Sequence, residues 1–197
     1  NDKPDQGYEN SVVSAGINTS FEQYKDLFAT LGLNASYDDL RTTDNASASL
    51  RQQSGEFSEL AGVYGFALDK RNRTFMPTDG SILSFNQVLP FYADKSYISN
   101  TLAYSGYNTL TENVVNATKF YVSAINGLGS DNVRVSKRNF LSTKRLRGFK
   151  RGKVGPKDGD DWVGGNYTTA VNAEAQLPNL LPESYRTDFN VFIDTAN

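Results

Sequence analysis

Apolar and polar residues alternate one by one along several long stretches of the chain. In the clearest stretch, 24–37, the apolar or aromatic side chains Leu27, Ala29, Leu31, Leu33, Ala35 and Tyr37 fall on one face. A two-residue period is typical of a β-strand with one buried face. The stretch is longer than the about 5–6 residues of an average soluble strand, and it exceeds the roughly 9–11 residues of a tilted membrane strand. We therefore predict a long strand of the membrane type.

Two stretches near the end of the chain show the same alternation. In Tyr167–Leu177 the apolar positions oppose Asn172 and Glu174. In 186–194 an apolar face opposes a polar one, with Thr187, Phe189, Val191 and Ile193 against Arg186, Asp188, Asn190 and Asp194. Weaker alternation occurs in 11–19, 57–69, 81–89, 97–107 and 114–125. The pattern predicts an all-β, antiparallel chain of about eight strands without a convincing helix.

The predicted connections differ in length. Residues 19–23 and 71–80 are short connections and 91–95 is a modest one, whereas 38–56 is long and 127–166 is very long. Short turns at one end and long loops at the other are typical of outer-membrane β-barrels. A soluble β-sandwich or a lipocalin-like barrel explains the strand pattern alone equally well.

Composition narrows the possible functions. The chain has no Cys and no His, so it lacks thiolate nucleophiles, zinc–thiolate ligands and the commonest general base. No G-x-S-x-G motif nominates a serine nucleophile. We therefore expect no catalytic residue, no metal and no cofactor, and no enzyme activity. A mean hydropathy of -0.51 does not argue against a membrane barrel, because every second residue of such a strand faces a polar lumen.

The start of the chain does not read as a targeting segment, and no apolar run reaches the roughly 18 residues of a spanning helix. There is no basic start followed by an apolar region. We expect a leader to have been removed or to lie outside this sequence, and the chain to be one segment, 1–197, of a longer protein.

The long connection is strongly basic. Nine Lys and Arg residues and no acid lie between positions 134 and 153: Arg134, Lys137, Arg138, Lys144, Arg145, Arg147, Lys150, Arg151 and Lys153. The rest of the chain has 11 basic and 22 acidic residues, a net charge of -11. The stretch could be a solvated loop, a nucleic-acid patch with Phe140 and Phe149, or a contact for lipopolysaccharide phosphates. A nucleic-acid-binding function would not explain the long alternating strands or the acidic remainder of the chain, so we expect no nucleic-acid partner.

Four motifs of the chain resemble motifs that occur in the same order in the barrel-assembly proteins of the BamA type, the bacterial surface antigen superfamily. Leu146-Arg147-Gly148-Phe149 resembles the V-R-G-F motif of the family's sixth extracellular loop, and residues 153–157 resemble the T-I-G-P-K/R segment that follows it. Val163-Gly164-Gly165-Asn166 matches the motif that opens the next strand. Upstream, Pro77-Thr78-Asp79-Gly80 resembles a short periplasmic turn of the family.

The resemblance implies a role for one arginine. In the family this loop folds back into the lumen and its arginine pairs with acids on the inner wall, which implies that Arg147 pairs with Glu174 and Asp194. A guanidinium can bridge two carboxylates through charge-assisted hydrogen bonds. Without the resemblance, both acids would be ordinary polar lumen residues. Gly148 is expected to let the backbone turn tightly next to the arginine, and Gly164-Gly165 to permit positive φ angles where the loop re-enters a strand.

The resemblance also implies an architecture and a function. It implies a sixteen-stranded barrel of which this chain is the middle eight strands, with a lumen-directed loop at about 127–165. The parent protein is then expected to fold and insert other barrels in the outer membrane of a Gram-negative bacterium. Its implied partners are outer-membrane lipid and lipopolysaccharide, unfolded outer-membrane protein clients and accessory assembly lipoproteins.

Two other functions fit parts of the pattern. A sister protein-translocation pore, of the translocation-module or two-partner secretion type, shares the R-G-F loop and would move a client outward. A small closed eight-stranded barrel would act as a porin or an adhesion protein. The number of POTRA domains in the full gene would distinguish the translocation pore from an assembly factor. The small closed barrel predicts that this chain folds alone.

Overall fold

Eight long strands lie side by side in one antiparallel sheet. The computed structural model describes residues 7–178, 180 and 187–197. The long strands are β1 Tyr8–Tyr24, β2 Leu27–Thr42, β3 Gly55–Asp69, β4 Gly80–Ala93, β5 Tyr97–Thr111, β6 Val114–Gly127, β9 Tyr167–Leu177 and β10 Phe189–Ala196. A separate two-stranded hairpin is formed by β7 Lys157–Asp158 and β8 Asp161–Trp162. The all-β antiparallel fold predicted from the alternation is confirmed.

The sheet is open within the described residues. Its order is β1-β2-β3-β4-β5-β6-β9-β10, so β1 and β10 are the two edges. A small closed barrel would pair these two strands with each other, and the sheet does not. The described strands therefore do not form a small closed barrel.

The first turn lies where the alternation gave no sign of it. We expected a turn at 19–23 and a strand from residue 24, but β1 continues to Tyr24 and β2 begins at Leu27. Asp26 has a φ of 65°, a left-handed conformation that Asp tolerates better than most residues. Its N–H donates to Glu22 Oε1 over 2.9 Å, which closes the turn.

The connections fall at two ends of the sheet. The turn end carries residues 25–26, 70–79 and 112–113, and the loop end carries 43–54, 94–96 and 128–166. The loop 43–54 contains a one-turn helix, α1 Ala48–Arg51, which the sequence pattern did not predict. Ser47 caps this helix by accepting from the Leu50 N–H. Among the described residues, no helix combines the length and the apolar character that crossing a membrane requires.

The two faces of the sheet differ in polarity. We call the face covered by the loop 128–166 the inner face and the opposite face the outer face. Cross-strand neighbours on the outer face form apolar rows, such as Ile17, Leu33 and Gly62 with Leu89. Large apolar side chains on this face are solvent-accessible in the isolated chain, with Ile17 78% and Ile193 76% exposed. An apolar face of this extent fits the hydrocarbon of a membrane.

One polar group on the outer face satisfies its own hydrogen bonds. Tyr64 donates from its hydroxyl to Gln87 Oε1 over 2.6 Å, and Gln87 donates from Nε2 to Asn100 Oδ1 over 2.5 Å. The three residues sit on the adjacent strands β3, β4 and β5. Polar groups that face hydrocarbon are costly unless they have partners, so this chain of bonds is compatible with a membrane-facing surface.

Candidate functional site: a loop bound to the inner wall

The loop 128–166 crosses the inner face of the sheet. Near its start, Arg134 and Lys137 contact β2 and β3. Farther along, Arg145 stacks on Tyr121 of β6, with its guanidinium carbon 4.0 Å from the ring centroid. Arg147 then reaches β9 and β10. The connection predicted as lumen-directed therefore runs across most of the strands.

Arg147 is held by the two acids that the resemblance assigned to it. Its Nε and Nη2 donate to Asp194 Oδ2 and Oδ1 over 2.8 and 2.7 Å, and its Nη1 donates to Glu174 Oε2 over 2.8 Å. The backbone N–H of Arg147 donates to the same Asp194 Oδ2 over 3.0 Å. One side chain of the loop thereby joins two neighbouring strands by charge-assisted hydrogen bonds, the stronger kind in proteins.

The surroundings of Arg147 favour its charged form. Hydrogen bonds to Asp194 and then to Glu174 raise the pKa of the guanidinium above its ordinary value, against the opposing effect of burial. The ring of Phe192 lies below it, with its centroid 3.6 Å from the guanidinium carbon, a cation–π contact. Among the described residues, no group of three or more potential ligands could hold a metal ion. Asp194 and Glu174 both accept hydrogen bonds from this guanidinium.

The neighbours of Arg147 in the motif turn the chain. Gly148 has a φ of 85°, with open space where a Cβ would be. Phe149 follows with 56% of its surface exposed. Leu146 donates from its backbone N–H to the Ser142 carbonyl over 3.1 Å and so belongs to a local turn before the arginine. Within the motif, only Arg147 contacts the wall acids through the described hydrogen bonds.

The re-entry turn, Val163-Gly164-Gly165-Asn166, returns the loop to β9. Val163 is buried in a small core under the loop, together with Tyr8, Leu40, Ala46, Leu50 and Val135. Gly164 has a φ of 67°, and a Cβ there would lie 2.9 Å from the Asn139 carbonyl oxygen. Gly165 does not have the positive φ that we expected. It instead exchanges two backbone hydrogen bonds of 2.9 Å with Asn139, which need extended backbone.

The turn Pro77-Thr78-Asp79-Gly80 lies at the turn end, away from Arg147. The N–H groups of Thr78 and Asp79 donate to Asn72 Oδ1 over 3.2 and 3.3 Å. Thr109 of β5 donates from its hydroxyl to the Thr78 carbonyl over 3.0 Å. The structure therefore separates this motif from the loop, and its contacts are those of a braced turn.

A second set of loop contacts was not predicted from the sequence. Arg134 Nη1 lies 3.0 Å from Asp38 Oδ2, and the two side chains are only 5% and 2% exposed. Lys137 Nζ lies 3.0 Å from Glu59 Oε2. Tyr97 of β5 donates from its hydroxyl to Glu59 Oε1 over 3.0 Å. Arg134 and Lys137 thus bind the start of the loop to β2 and β3, and Tyr97 joins Glu59 to β5.

The sequence did contain a signal for these partners. Asp38 continues the polar face of β2 through Asn34 and Ser36, and Glu59 lies on the same face of β3 as Ala61 and Gly65. Inward acids in a net acidic wall are natural partners for a loop with nine cations. The pairing itself depends on which strands the loop crosses, and the pattern does not give that.

The basic stretch therefore has two parts. Arg134, Lys137 and Arg147 form ion pairs with the wall. Lys144, Lys150 and Arg151 are exposed. The three paired cations bind the loop to the wall, whereas the exposed cations fit a solvated loop surface.

After Arg147 the loop returns to the other edge of the sheet. The hairpin of β7 and β8 brings Asp161 to the residue before β1, where the Gly7 N–H donates to Asp161 Oδ1 over 2.7 Å. Tyr8 of β1 donates from its hydroxyl to the Trp162 carbonyl over 3.2 Å. The same loop thus contacts both edge regions of the sheet.

Comparison with known proteins gives one family. The chain is 27% identical over 187 residues to the outer membrane protein assembly factor BamA of Neorickettsia risticii (strain Illinois), which covers 92% of this chain and 25% of that protein. It is 26% identical over 164 residues to the human sorting and assembly machinery component 50 homolog, covering 77% of this chain and 34% of that protein. This chain therefore spans about a quarter to a third of these relatives.

A solved structure shares the fold. The crystal structure of BamA from Haemophilus ducreyi lacking POTRA domains 1–3 superposes with a TM-score of 0.82 at 23% identity, over 96% of this chain and 42% of that chain. The open sheet thus corresponds to part of a barrel of that type. The family model of the Omp85 superfamily domain matches residues 1–197, the whole sequence, and the chain is therefore a member of the Omp85 superfamily.

Proposed function

We propose that the protein folds and inserts other β-barrel proteins into an outer membrane, and that this chain supplies part of its barrel wall together with the loop bound inside it. The contact of Arg147 with Asp194 and Glu174 carries the proposal, since it is the arrangement that the assembly-factor resemblance implies. The relatives named BamA and component 50 of the sorting and assembly machinery support it. The activity belongs to the full-length protein, of which such a segment is one part.

Arg147 has a mechanical role in this proposal. A long loop with few contacts is mobile and would sample many positions in a lumen. Four hydrogen bonds to two strands, one of them from the loop backbone, select one position. Both carboxylates are largely buried, at 8% and 3% exposure, so water competes little for the hydrogen bonds that they accept from Arg147. The bound loop and the intact wall thus stabilise each other.

An outer-membrane location follows from the family and from the apolar outer face. We further propose the outer membrane of a Gram-negative bacterium, because the bacterial BamA match extends over more of the chain than the human match. The partners proposed with it are membrane lipid and lipopolysaccharide, unfolded outer-membrane protein clients and accessory assembly lipoproteins. No catalytic step is part of this role.

The test is an assembly assay with the full-length protein in lipid vesicles. A urea-unfolded barrel client is added, and its folded fraction is followed by its resistance to heat-induced unfolding on gels. Arg147→Ala should reduce the folding rate, whereas Lys150→Ala, an exposed cation of the same loop, should leave it unchanged. Full activity of Arg147→Ala would contradict the role of the loop contact. A client that crosses into the vesicle without becoming embedded would support the translocation-pore alternative.

A further inference from the structure

The loop has two anchors on the inner wall, and they differ in their access to water. The first, at β2 and β3, consists of the pairs Arg134–Asp38 and Lys137–Glu59. The second, at β9 and β10, is Arg147 with its two acids. Arg134 is 5% exposed, whereas the Arg147 side chain is 28% exposed. An ion pair that excludes water is screened less by solvent, so its two charges attract each other more strongly.

The first anchor is enclosed by further contacts. The guanidinium carbon of Arg134 lies 3.2 Å from the centroid of the Phe57 ring. The backbone N–H of the next residue, Val135, donates to Gln53 Oε1 over 2.8 Å. Val135 itself is 1% exposed in the core under the loop. Charge, aromatic, backbone and apolar contacts thus coincide within two residues of the loop.

Lys137 extends this anchor to a third strand. Its ammonium contacts Glu59 of β3 over 3.0 Å and donates to Ser36 Oγ of β2 over 3.2 Å. The Lys137 ammonium also lies 5.8 Å from the centroid of the Tyr97 ring of β5, and Glu59 accepts the Tyr97 hydroxyl. The side chain of Lys137 is 23% exposed and that of Glu59 is 7% exposed. The anchor therefore fixes the loop relative to three strands.

We propose that Arg134 and Lys137 are positioning residues that keep the start of the loop permanently on β2 and β3, and that Arg147, in the middle of the loop, makes the contact that can be released. The chain between the two anchors, residues 139–146, would then be the segment about which the released part moves. This role deepens the proposed function, because the loop that Arg134 and Lys137 hold is the loop that carries Arg147. Loss of the first anchor displaces Arg147 as well, whereas loss of the second leaves residues 132–138 in place.

The test measures loop position in the full-length protein in detergent or lipid discs, without an assembly assay. Spin labels are placed at Arg41, which is 78% exposed at the loop end of β2, and at either Asn132 or Lys150 of the loop, both exposed. Pulsed electron resonance gives the distance distribution of each pair. The unaltered protein should give one distance for each pair. A label pair at Arg41 and Asn72, in the exposed part of the 70–79 turn, checks that the barrel is intact.

The expected results separate the two anchors. In Arg147→Ala, the pair with the Lys150 label should show several distances instead of one, and the pair with the Asn132 label should keep its distance. The variant Arg134→Ala/Lys137→Glu removes both cations and places a second carboxylate against Glu59. Both labels should then show several distances instead of one. Exchange of the charges in Lys137→Glu/Glu59→Lys, with Arg134 kept, should restore both distances, because the pair is re-formed in the opposite sense.

Two results would overturn the proposal. One is an unchanged Lys150 distance in Arg134→Ala/Lys137→Glu while the barrel pair keeps its distance. The other is a displaced Asn132 label in Arg147→Ala, which would mean that the first anchor does not hold alone. The label distances do not depend on clients. A failure of the assembly proposal would instead appear as unchanged client folding by Arg147→Ala, so the two failures can be distinguished.

Discussion

Arg147 and Asn172 donate hydrogen bonds to the same oxygen of Asp194. Arg147 Nη2 lies 2.7 Å and Asn172 Nδ2 lies 2.8 Å from Asp194 Oδ1. Asn172 and Asp194 are direct cross-strand neighbours on β9 and β10. The same Asn172 amide also donates to the Arg145 carbonyl of the loop over 2.9 Å. The wall thus orients the carboxylate for the arginine and holds the loop backbone beside it, an example of preorganisation by neighbouring groups.

Arg147→Lys should destabilise the barrel although it keeps the charge. Lysine carries a single ammonium and cannot reproduce the pair of bonds to Asp194 together with the bond to Glu174. Hydrogen bonds to charged groups contribute about 1.5–3 kcal/mol, and we expect a loss in this range in the free energy of unfolding, with a larger loss for Arg147→Ala. The measurement is denaturant unfolding of the full-length protein. Lys150→Ala should change the stability by less than about 0.5 kcal/mol, and equal stability of Arg147→Lys and the unaltered protein would refute the bidentate contact.

The buried pair Arg134–Asp38 should respond differently to single and double substitution. Asp38→Leu leaves Arg134 buried without its carboxylate, and such breaks cost about 3–5 kcal/mol. Asp38→Leu/Arg134→Met replaces the pair by apolar groups, which is often neutral, so most of the loss should be recovered. Denaturant unfolding of the four proteins in this cycle gives the coupling. A double variant as unstable as Asp38→Leu would show that the arginine does not depend on Asp38.

Substitution of two glycines of the loop would distinguish the effect of backbone strain from that of a steric contact. Gly148 and Gly164 both have positive φ, but a Cβ meets nothing within 4 Å at Gly148 and lies 2.9 Å from the Asn139 carbonyl oxygen at Gly164. A side chain in this backbone region costs about 1–3 kcal/mol. Both Gly→Ala variants should therefore lower the melting temperature, and Gly164→Ala should lower it more. Equal shifts would mean that the re-entry turn adjusts to the added methyl group.

Asp131 provides a test by pH. Its carboxylate accepts the Ser96 N–H over 2.9 Å and the Lys95 ammonium over 3.1 Å, and these bonds, the backbone one first, hold the pKa of Asp131 below its usual value. The unfolded chain has a pKa of about 3.9 for Asp. The stabilisation is therefore complete above that value and is lost as the pH falls through the lower folded pKa.

Asp131→Asn should thus melt at a lower temperature than the unaltered protein at pH 7. The difference should shrink as the solution is acidified and disappear below the folded pKa. The measurement is the melting temperature of both proteins between about pH 2 and pH 7, a range that includes the pKa of about 3.9 of an unperturbed Asp. A difference that stays constant with pH would show that the carboxylate charge is not responsible.

The strands were predictable where only the alternation mattered, and the first turn was not. The predicted limits of β9 agree with the structure at both ends, Tyr167 and Leu177. At the start of the chain, the outer positions are odd-numbered both in β1, as in Ile17, and in β2, as in Leu33. The two-residue turn pairs Tyr24 with Leu27, which by itself would exchange odd and even positions, but the β-bulge between Glu22 and Tyr24 restores the parity. The apolar positions therefore stay odd-numbered on both sides of the turn. Only the left-handed Asp26 marks it, and Asp alone is a weak turn signal.

Long-range pairs set the limit for the loop. Arg134 and Asp38 are separated by 96 positions, and both residues are ordinary in their local sequence. Their contact depends on the order of strands and on the path of the loop over them. The resemblance supplied that information for Arg147, through a motif, and no motif marks Arg134 or Lys137.

The return of the loop through β7 and β8 has a consequence for the mechanics of the wall. With Arg147 bound at β10 and Asp161 bound beside β1, the loop forms a cross-link between the two edge regions of the eight-stranded sheet. A curved sheet that is cross-linked at both edges cannot flatten unless the loop extends or one of its contacts breaks. These eight strands should therefore move as one rigid unit, and widening of a complete barrel should be concentrated in the strands that the loop does not span.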